Sequence, residues 1–169
     1  FNIILAIIIN SATRHILTQN KGVNMFDLSQ NNLSQIAEAG YEFNLLLPDT
    51  LQDTGAKIKV RGSDSKKLRD YARKYIQEQQ LKEQKAKRQG KEAPVPTIEE
   101  MEESVTKRAV LSIISWSGIA ENGQEVPFTE ENATRILKEH DWIRSAVLEN
   151  SNDGSKFRPE WCRTMQALC

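Results

Sequence analysis

The sequence has 169 residues, of which 38% are apolar and 27% charged, and its 23 basic and 23 acidic residues balance to a formal net charge of zero. This length fits one domain with a buried core, and the neutral balance excludes a chain that binds polyanions over its whole surface. Two cysteines, Cys162 and Cys169, have neither metal-binding nor redox spacing, which favours a reduced, cytosolic protein.

The charges are distributed unevenly along the chain. Residues 57–91 contain thirteen basic and four acidic residues, a net charge of +9. Residues 92–150 contain five basic and twelve acidic residues, a net charge of −7. Such an asymmetry can steer a partner or mediate self-association.

Both ends of the chain differ in character from the middle. The apolar run 3–9 is too short to cross a membrane, which takes about 20 residues, and no signal-peptide pattern accompanies it. A buried strand or the start of a helix is one interpretation of this run. We favour another, in which the natural start is Met25 and residues 1–24 are a non-native or disordered leader. The tail 158–169 has only weak helical spacing, so we predict no element there.

The first predicted elements are a short helix and a β-hairpin. Apolar spacing predicts a helix over 27–40, ended by a glycine. A β-hairpin is predicted over 41–61, with strands at 41–48 and 56–60, because the second strand alternates lysine with aliphatic residues. The Asp-Thr-Gly sequence at 53–55 is typical of its turn.

A long basic helix follows and is predicted over 66–89, within a helical arm that we assign to residues 66–90. Its inner face is traced by Leu68, Ala72, Gln79 and either Tyr75 or Ile76, with Tyr71 beside them. Beyond Ile76 the helix is polar nearly all round, so it must project, bridge to a partner or fray. The Pro-containing stretch 91–96 predicts a stiff linker.

The helical body, residues 97–150, is predicted to contain about three helices. The first has a capping box formed by Thr97 and Glu100 and continues to about Trp116. Its predicted buried stripe is Ile98, Met101, Val105, Ala109, Ser112, Ile113 and Trp116. A turn at Asn122-Gly123 comes next, and then helices capped by Thr129 and Asp141. We therefore predict an α+β fold, mainly α, with a single domain over 25–157.

No pattern in the chain indicates catalysis or a cofactor. His140 and Asp141 are neighbours in sequence, but adjacent helical residues do not face each other, and no nucleophile motif accompanies them. The glutamates at 99, 100, 102 and 103 lack metal-loop spacing, so a solvated face is the simpler interpretation. The basic helix could contact nucleic acid phosphates, but no base-reading module is present, so we do not favour a nucleic acid partner.

Three stretches resemble tail assembly chaperones of long-tailed phages and prophages. The first comprises LSQNNL at 28–33, AEAG at 37–40 and FNLLLP at 43–48. The second is TGAKIKVRG at 54–62, followed by a basic helix. The third is WSGI at 116–119, the Asn-Gly pair, VPFTEENA at 126–133 and the Trp-Ile pair at 142–143. The resemblance covers about residues 25–157.

The resemblance implies a non-enzymatic protein that binds the helical tape-measure protein and assists the assembly of tail-tube subunits, without a membrane partner. We expect the contact surface on the basic helix, at Lys66, Arg69, Arg73, Lys74, Lys82 and Lys85. We expect the hinge of the fold at Trp116, Ile119, Phe128 and Trp142. The alternatives are a minor virion protein, such as a tail-completion or connector protein, and a nucleic-acid-binding regulator.

Overall fold

The structure, a computed structural model, describes residues 32–92 and 94–158. Within this part the helices are α1 (Leu33–Ala39), α2 (Lys66–Arg88), α3 (Ile98–Ser112), α4 (Glu130–Glu139) and α5 (Asp141–Asn152), followed by a 3-10 helix (Gly154–Phe157). The strands are β1 (Tyr41–Leu46), β2 (Asp53–Val60), β3 (Ile113–Ser117), β4 (Ala120–Glu121) and β5 (Gln124–Glu125). The predicted α+β, mainly helical fold is confirmed, with an N-terminal hairpin, a long helix and C-terminal helices. The predicted leader 1–24, the start of the helix 27–40 and the tail beyond Arg158 lie outside the described residues.

The sheet is a three-stranded antiparallel one in the order β1-β2-β3. Its central strand places Ile58 opposite Phe43 on one side and opposite Trp116 on the other. Because side chains alternate between the faces of a strand, Ile58 and Val60 are buried while Lys57 lies in solvent. Helix α5 packs against β1 and β2, so the core lies between the sheet and the helical body.

The hairpin turn lies earlier than the sequence predicts. Strand β1 ends at Leu46 and β2 begins at Asp53, so the turn is 47–52 and not Asp-Thr-Gly at 53–55. The Thr54 hydroxyl donates to the Leu45 carbonyl at 2.7 Å, and the Asn44 amide donates to the Asp53 carboxylate at 2.7 Å. These residues therefore contact the opposite strand, which is why their turn-forming side chains do not make the turn.

The predicted helix to Trp116 is also wrong, because α3 ends at Ser112 and the chain continues directly as β3. Two physical causes favour the change. Ile113 and Ile114 are β-branched, which suits a strand, and Val60 on β2 offers a pairing partner for Ile113. This long-range pairing overrides a helical stripe that, on local spacing alone, continues to Trp116.

One arginine satisfies the carbonyls left open where α3 becomes β3. The Arg61 guanidinium donates to the carbonyls of Leu111 at 3.1 Å and Ile113 at 3.0 Å, and the Arg61 backbone amide donates to Ser112 at 2.7 Å. The last four carbonyls of a helix lack intrahelical partners. Arg61 is therefore the C-terminal cap of α3, supplied from the end of β2.

The predicted helix starts in the second half of the chain are correct with one exception. Thr129 accepts a hydrogen bond from the Asn132 amide at 3.1 Å, as an N-cap does, and Asn122 and Gly123 have φ values of 50° and 78° in the predicted turn between β4 and β5. Asp141, however, is the first residue of α5 and not its cap. The N-cap position belongs to His140, whose side chain makes no capping hydrogen bond.

Gly62 is predicted to tolerate no side chain. A Cβ atom there would lie 2.9 Å from Ala37 Cβ and 2.9 Å from Phe157 Cγ, so α1 and the 3-10 helix would have to move. We expect Gly62→Ala to lower the free energy of unfolding by about 1–3 kcal/mol in urea denaturation. Gly154→Ala is the matched control, because its Cβ meets nothing within 4 Å. Equal stability of the two variants would contradict the close packing.

Candidate partner-binding groove

Helices α2 and α3 lie side by side as an antiparallel pair. The Tyr71 hydroxyl donates to the Ser104 carbonyl at 3.0 Å. Closer to the C-terminal end of α2, Lys82 Nζ lies 3.4 Å from Glu100 Oε1. Because the residue numbers rise on α2 while they fall on α3, the two helices run in opposite directions. The basic helix therefore contacts the helical body between Tyr71 and Lys82.

The predicted capping box fixes the start of α3. Thr97 Oγ1 accepts from the Glu100 amide at 3.2 Å, and Glu100 Oε2 accepts from the Thr97 amide at 3.1 Å. Both bonds satisfy amides that a helix start leaves open. The hydrogen bond from the Thr97 amide, followed by the contact with Lys82, lowers the pKa of the Glu100 carboxyl.

An open groove of about 430 Å³ lies between α2 and α3 on one side of the pair. Its apolar lining includes Leu68, Ala72, Tyr75, Ile76 and Val105. Ile76 is 54% exposed and Val105 41% exposed. Burial is also the first cause that raises the pKa of Tyr71 on this lining, followed by Tyr75 and Glu78. The groove is thus an apolar surface that water reaches.

The first half of the predicted buried stripe on α3 is exposed, which corrects the prediction. Ile98 is 69% and Met101 46% exposed, whereas Ala109 and Ile113 further along are buried. The buried side chains of α3 are Thr106, Ala109, Val110 and Ser112, all in its second half, so the described elements leave the apolar side chains of its first turns largely uncovered. Ala72 and Ile76 of α2 with Ile98, Met101 and Val105 of α3 are called the apolar face below.

Two of the basic residues predicted as contacts lie beside the groove. Arg69 lines it and donates to Ser34 Oγ at 2.8 Å. Arg73 follows one turn later on the same side of α2 and is 3.7 Å from Asp70. Both side chains are largely in solvent.

The other predicted contacts do not share this surface. Lys74 and Lys82 line a second groove, on the opposite side of the pair, together with Glu100 and Glu103. Lys66 and Lys85 are exposed and line neither of these two grooves. The sequence did not predict the apolar face as a binding surface. The apolar stripe on α3 contained the signal, but helical spacing does not tell which part of a stripe other elements cover.

Three of the four predicted hinge residues lie together near β3. The rings of Trp116 and Phe128 are edge to face at 5.1 Å, and Trp116 Nε1 donates to the Val126 carbonyl at 2.8 Å. The Val126 amide donates to Ile119 at 2.8 Å. Trp142 is half-buried and also packs against the core. These contacts join β3 to the segment that leads into α4.

The described residues also bear on two other kinds of site. Within 32–92 and 94–158, no group of three or more His, Cys, Asp or Glu side chains could hold a metal ion. No helix in the same ranges has the length and apolar character needed to cross a membrane.

The comparison with known proteins gives one family. The family model described as "YdaY prophage protein" matches residues 66–163, which is more than half of the 169-residue chain. The match begins at the first residue of α2 and includes α3, so both helices of the groove belong to it. No curated protein and no solved structure matches the chain significantly.

The capping box makes a pH-dependent prediction. Because the folded-state pKa of Glu100 is lowered, its stabilising effect is present above the unfolded pKa and is lost as the pH falls through the folded value. We expect Lys82→Gln to raise the pKa of Glu100 only part of the way towards 4.5, because the hydrogen bond from the Thr97 amide, the first cause of the shift, remains. Thr97→Pro removes that amide at a φ of −70°, which proline can adopt, and should raise the pKa further. A carboxyl-carbon NMR titration measures both pKa values, and a larger effect of Lys82→Gln would contradict the assignment.

Proposed function

The chain belongs to the YdaY prophage protein family, and from that premise we propose that it is a non-enzymatic tail assembly chaperone that binds the tape-measure protein and assists tail-tube assembly. The observation that carries the proposal is the water-exposed apolar face between α2 and α3. The sequence resemblance to tail assembly chaperones supports the same assignment. A chaperone of this kind would work in the cytoplasm of the bacterial host.

The shape of the groove suits a helical client. Its two walls are helices, and it is open along one side, so an amphipathic helix can lay its apolar stripe between them. Such a client presents anchors three or four residues apart, which matches the spacing of Ile98, Met101 and Val105 along the apolar face, of which Val105 also lines the groove. A tape-measure protein, as a long and largely helical chain, offers many segments of this kind.

The charges beside the groove indicate which helices fit best. Arg69 lines the α2 wall and Arg108 lines the α3 wall, where it donates to Asn152 Oδ1 at 2.7 Å. A client helix with acidic residues flanking its apolar stripe would pair with these arginines. Charge complementarity at exposed positions mainly improves selectivity and the rate of association, so the aliphatic contacts supply most of the affinity.

The first test replaces two aliphatic residues of the apolar face. We expect Met101→Ser/Val105→Ser to weaken binding to the tape-measure protein of the same prophage about tenfold or more, because each lost apolar contact removes roughly 1 kcal/mol. Co-expression followed by affinity purification detects the complex, and titration calorimetry measures its Kd. Both side chains are substantially exposed in the free protein, so the fold should be unchanged by circular dichroism.

The matched control is Leu51→Ser/Leu81→Ser, which also replaces two exposed aliphatic side chains, 71% and 55% exposed, that do not line the groove. This variant should bind as the wild type does. Equal binding by both double variants would refute the groove as the client site.

Mass spectrometry of purified particles separates the chaperone from a minor virion protein, because a chaperone leaves the finished tail and a tail-completion or connector protein remains in it.

A further inference from the structure

The apolar face lies between two rows of opposite charge. On the α2 side, Arg69 and Arg73 are one turn apart and flank Ala72 and Ile76; we call them the basic rim. On the far side of α3, Glu99 and Glu102 project from the first two turns, at an open cleft; we call them the acidic rim. Each of the four charged residues is exposed.

Helical spacing fixes this order across the surface. Glu102 follows Ile98 by four residues and precedes Val105 by three, so it lies along the edge of the aliphatic row on α3. Arg73 follows Arg69 by four and precedes Ile76 by three, so it lies along the edge of the α2 wall. Across the face the order is therefore basic, apolar and acidic.

A surface with this order is complementary to a second copy of itself. When two copies meet face to face about a two-fold axis that runs along the apolar face, left and right are exchanged. The basic rim of each copy then lies over the acidic rim of the other, and apolar lies on apolar. A two-fold interface uses each contact twice, so both rims are neutralised. A two-fold axis that lies in the plane of the face but runs across it, from rim to rim, would place each rim over the same rim of the other copy. Like charges would then meet, so the first arrangement is favoured.

We propose that a second copy of the chain covers the apolar face, forming a weak homodimer through α2 and α3. The pairing rests on the self-complementary charges and on the exposure of Ile76, Met101 and Val105. Its role rests on the proposed function: the dimer protects the groove until a client helix displaces the second copy. A face of two helices is small, so we expect a Kd on the order of micromolar, and exposed ion pairs make it salt-sensitive.

The test uses charge reversal in the full chain. Arg69→Glu/Arg73→Glu gives a face with two acidic rims, and Glu99→Lys/Glu102→Lys gives one with two basic rims. We expect each variant to be monomeric at concentrations where the wild type is dimeric, because like rims would face each other. Mixed in equal amounts, the two variants should form a heterodimer. Sedimentation velocity measures all four samples at about 50 mM and 500 mM NaCl, and higher salt should weaken every dimer.

The control variant is Lys74→Glu/Lys85→Glu, which changes the net charge of α2 by the same amount but lies off the apolar face. It should dimerise as the wild type does. A monomeric wild type at several hundred micromolar, well above the expected Kd, overturns the proposal, as does a failure of the two reversed variants to pair when circular dichroism shows both folded. Pairing through another surface would leave Met101→Ser/Val105→Ser dimeric, which also overturns it.

Client binding is measured separately, so the two proposals can fail independently. Adding a helical tape-measure segment should convert the wild-type dimer into complexes with one copy of the chain. A dimer that pairs as expected but binds no client refutes the chaperone function and the protective role, and leaves the self-complementary interface in place. Client binding by a wild type that is always monomeric refutes the dimer alone.

Discussion

The fold depends on the hydrogen bonds that Arg61 makes at the end of α3. Its guanidinium and backbone amide together reach the carbonyls of three successive residues, Leu111 to Ile113. A helix end buried without such partners is costly, and here the partner comes from fifty residues earlier in the chain. Because Arg61 directly follows β2, the same residue holds α3 against the sheet and lets β3 start without a loop. Ser151 Oγ donates to the Arg61 carbonyl at 2.7 Å and so joins α5 to this point.

The direction of α2 follows from the same junction. Gly62 donates its amide to Ala37 at 2.9 Å and Ser63 donates to Ser151 at 3.0 Å, so the chain is held on both sides just before α2 begins. The Ser65 side chain is fully buried there. The short connection of residues 89–97 then favours an antiparallel return of α3 along α2. The apolar face therefore depends in part on residues that do not line it.

The sequence predicted the elements whose signals are local. The capping box at Thr97, the N-cap at Thr129 and the Asn122-Gly123 turn each act within four residues, and the structure has all three. The end of α3 was not predictable in this way, because the competing β2 pairing brings Val60 to Ile113 from a distant part of the chain. The turn of the hairpin was misplaced for a related reason: Thr54 can form a turn or bond to the opposite strand, and only the strand register decides.

The apolar face shows a second limit of prediction from local sequence patterns. Helical spacing identified Ile98, Met101 and Val105 as one apolar row, which is correct, but it assigned the row to the core. Burial requires a second surface, and on the described chain α4 and α5 cover only the later turns of α3, near Ala109 and Val110. An apolar row that continues beyond its covering helices costs free energy in water unless something else binds there. The apolar residues that the fold leaves uncovered are therefore the ones that indicate where a partner binds. The basic residues alone do not indicate such a surface, because they are divided between two sides of α2.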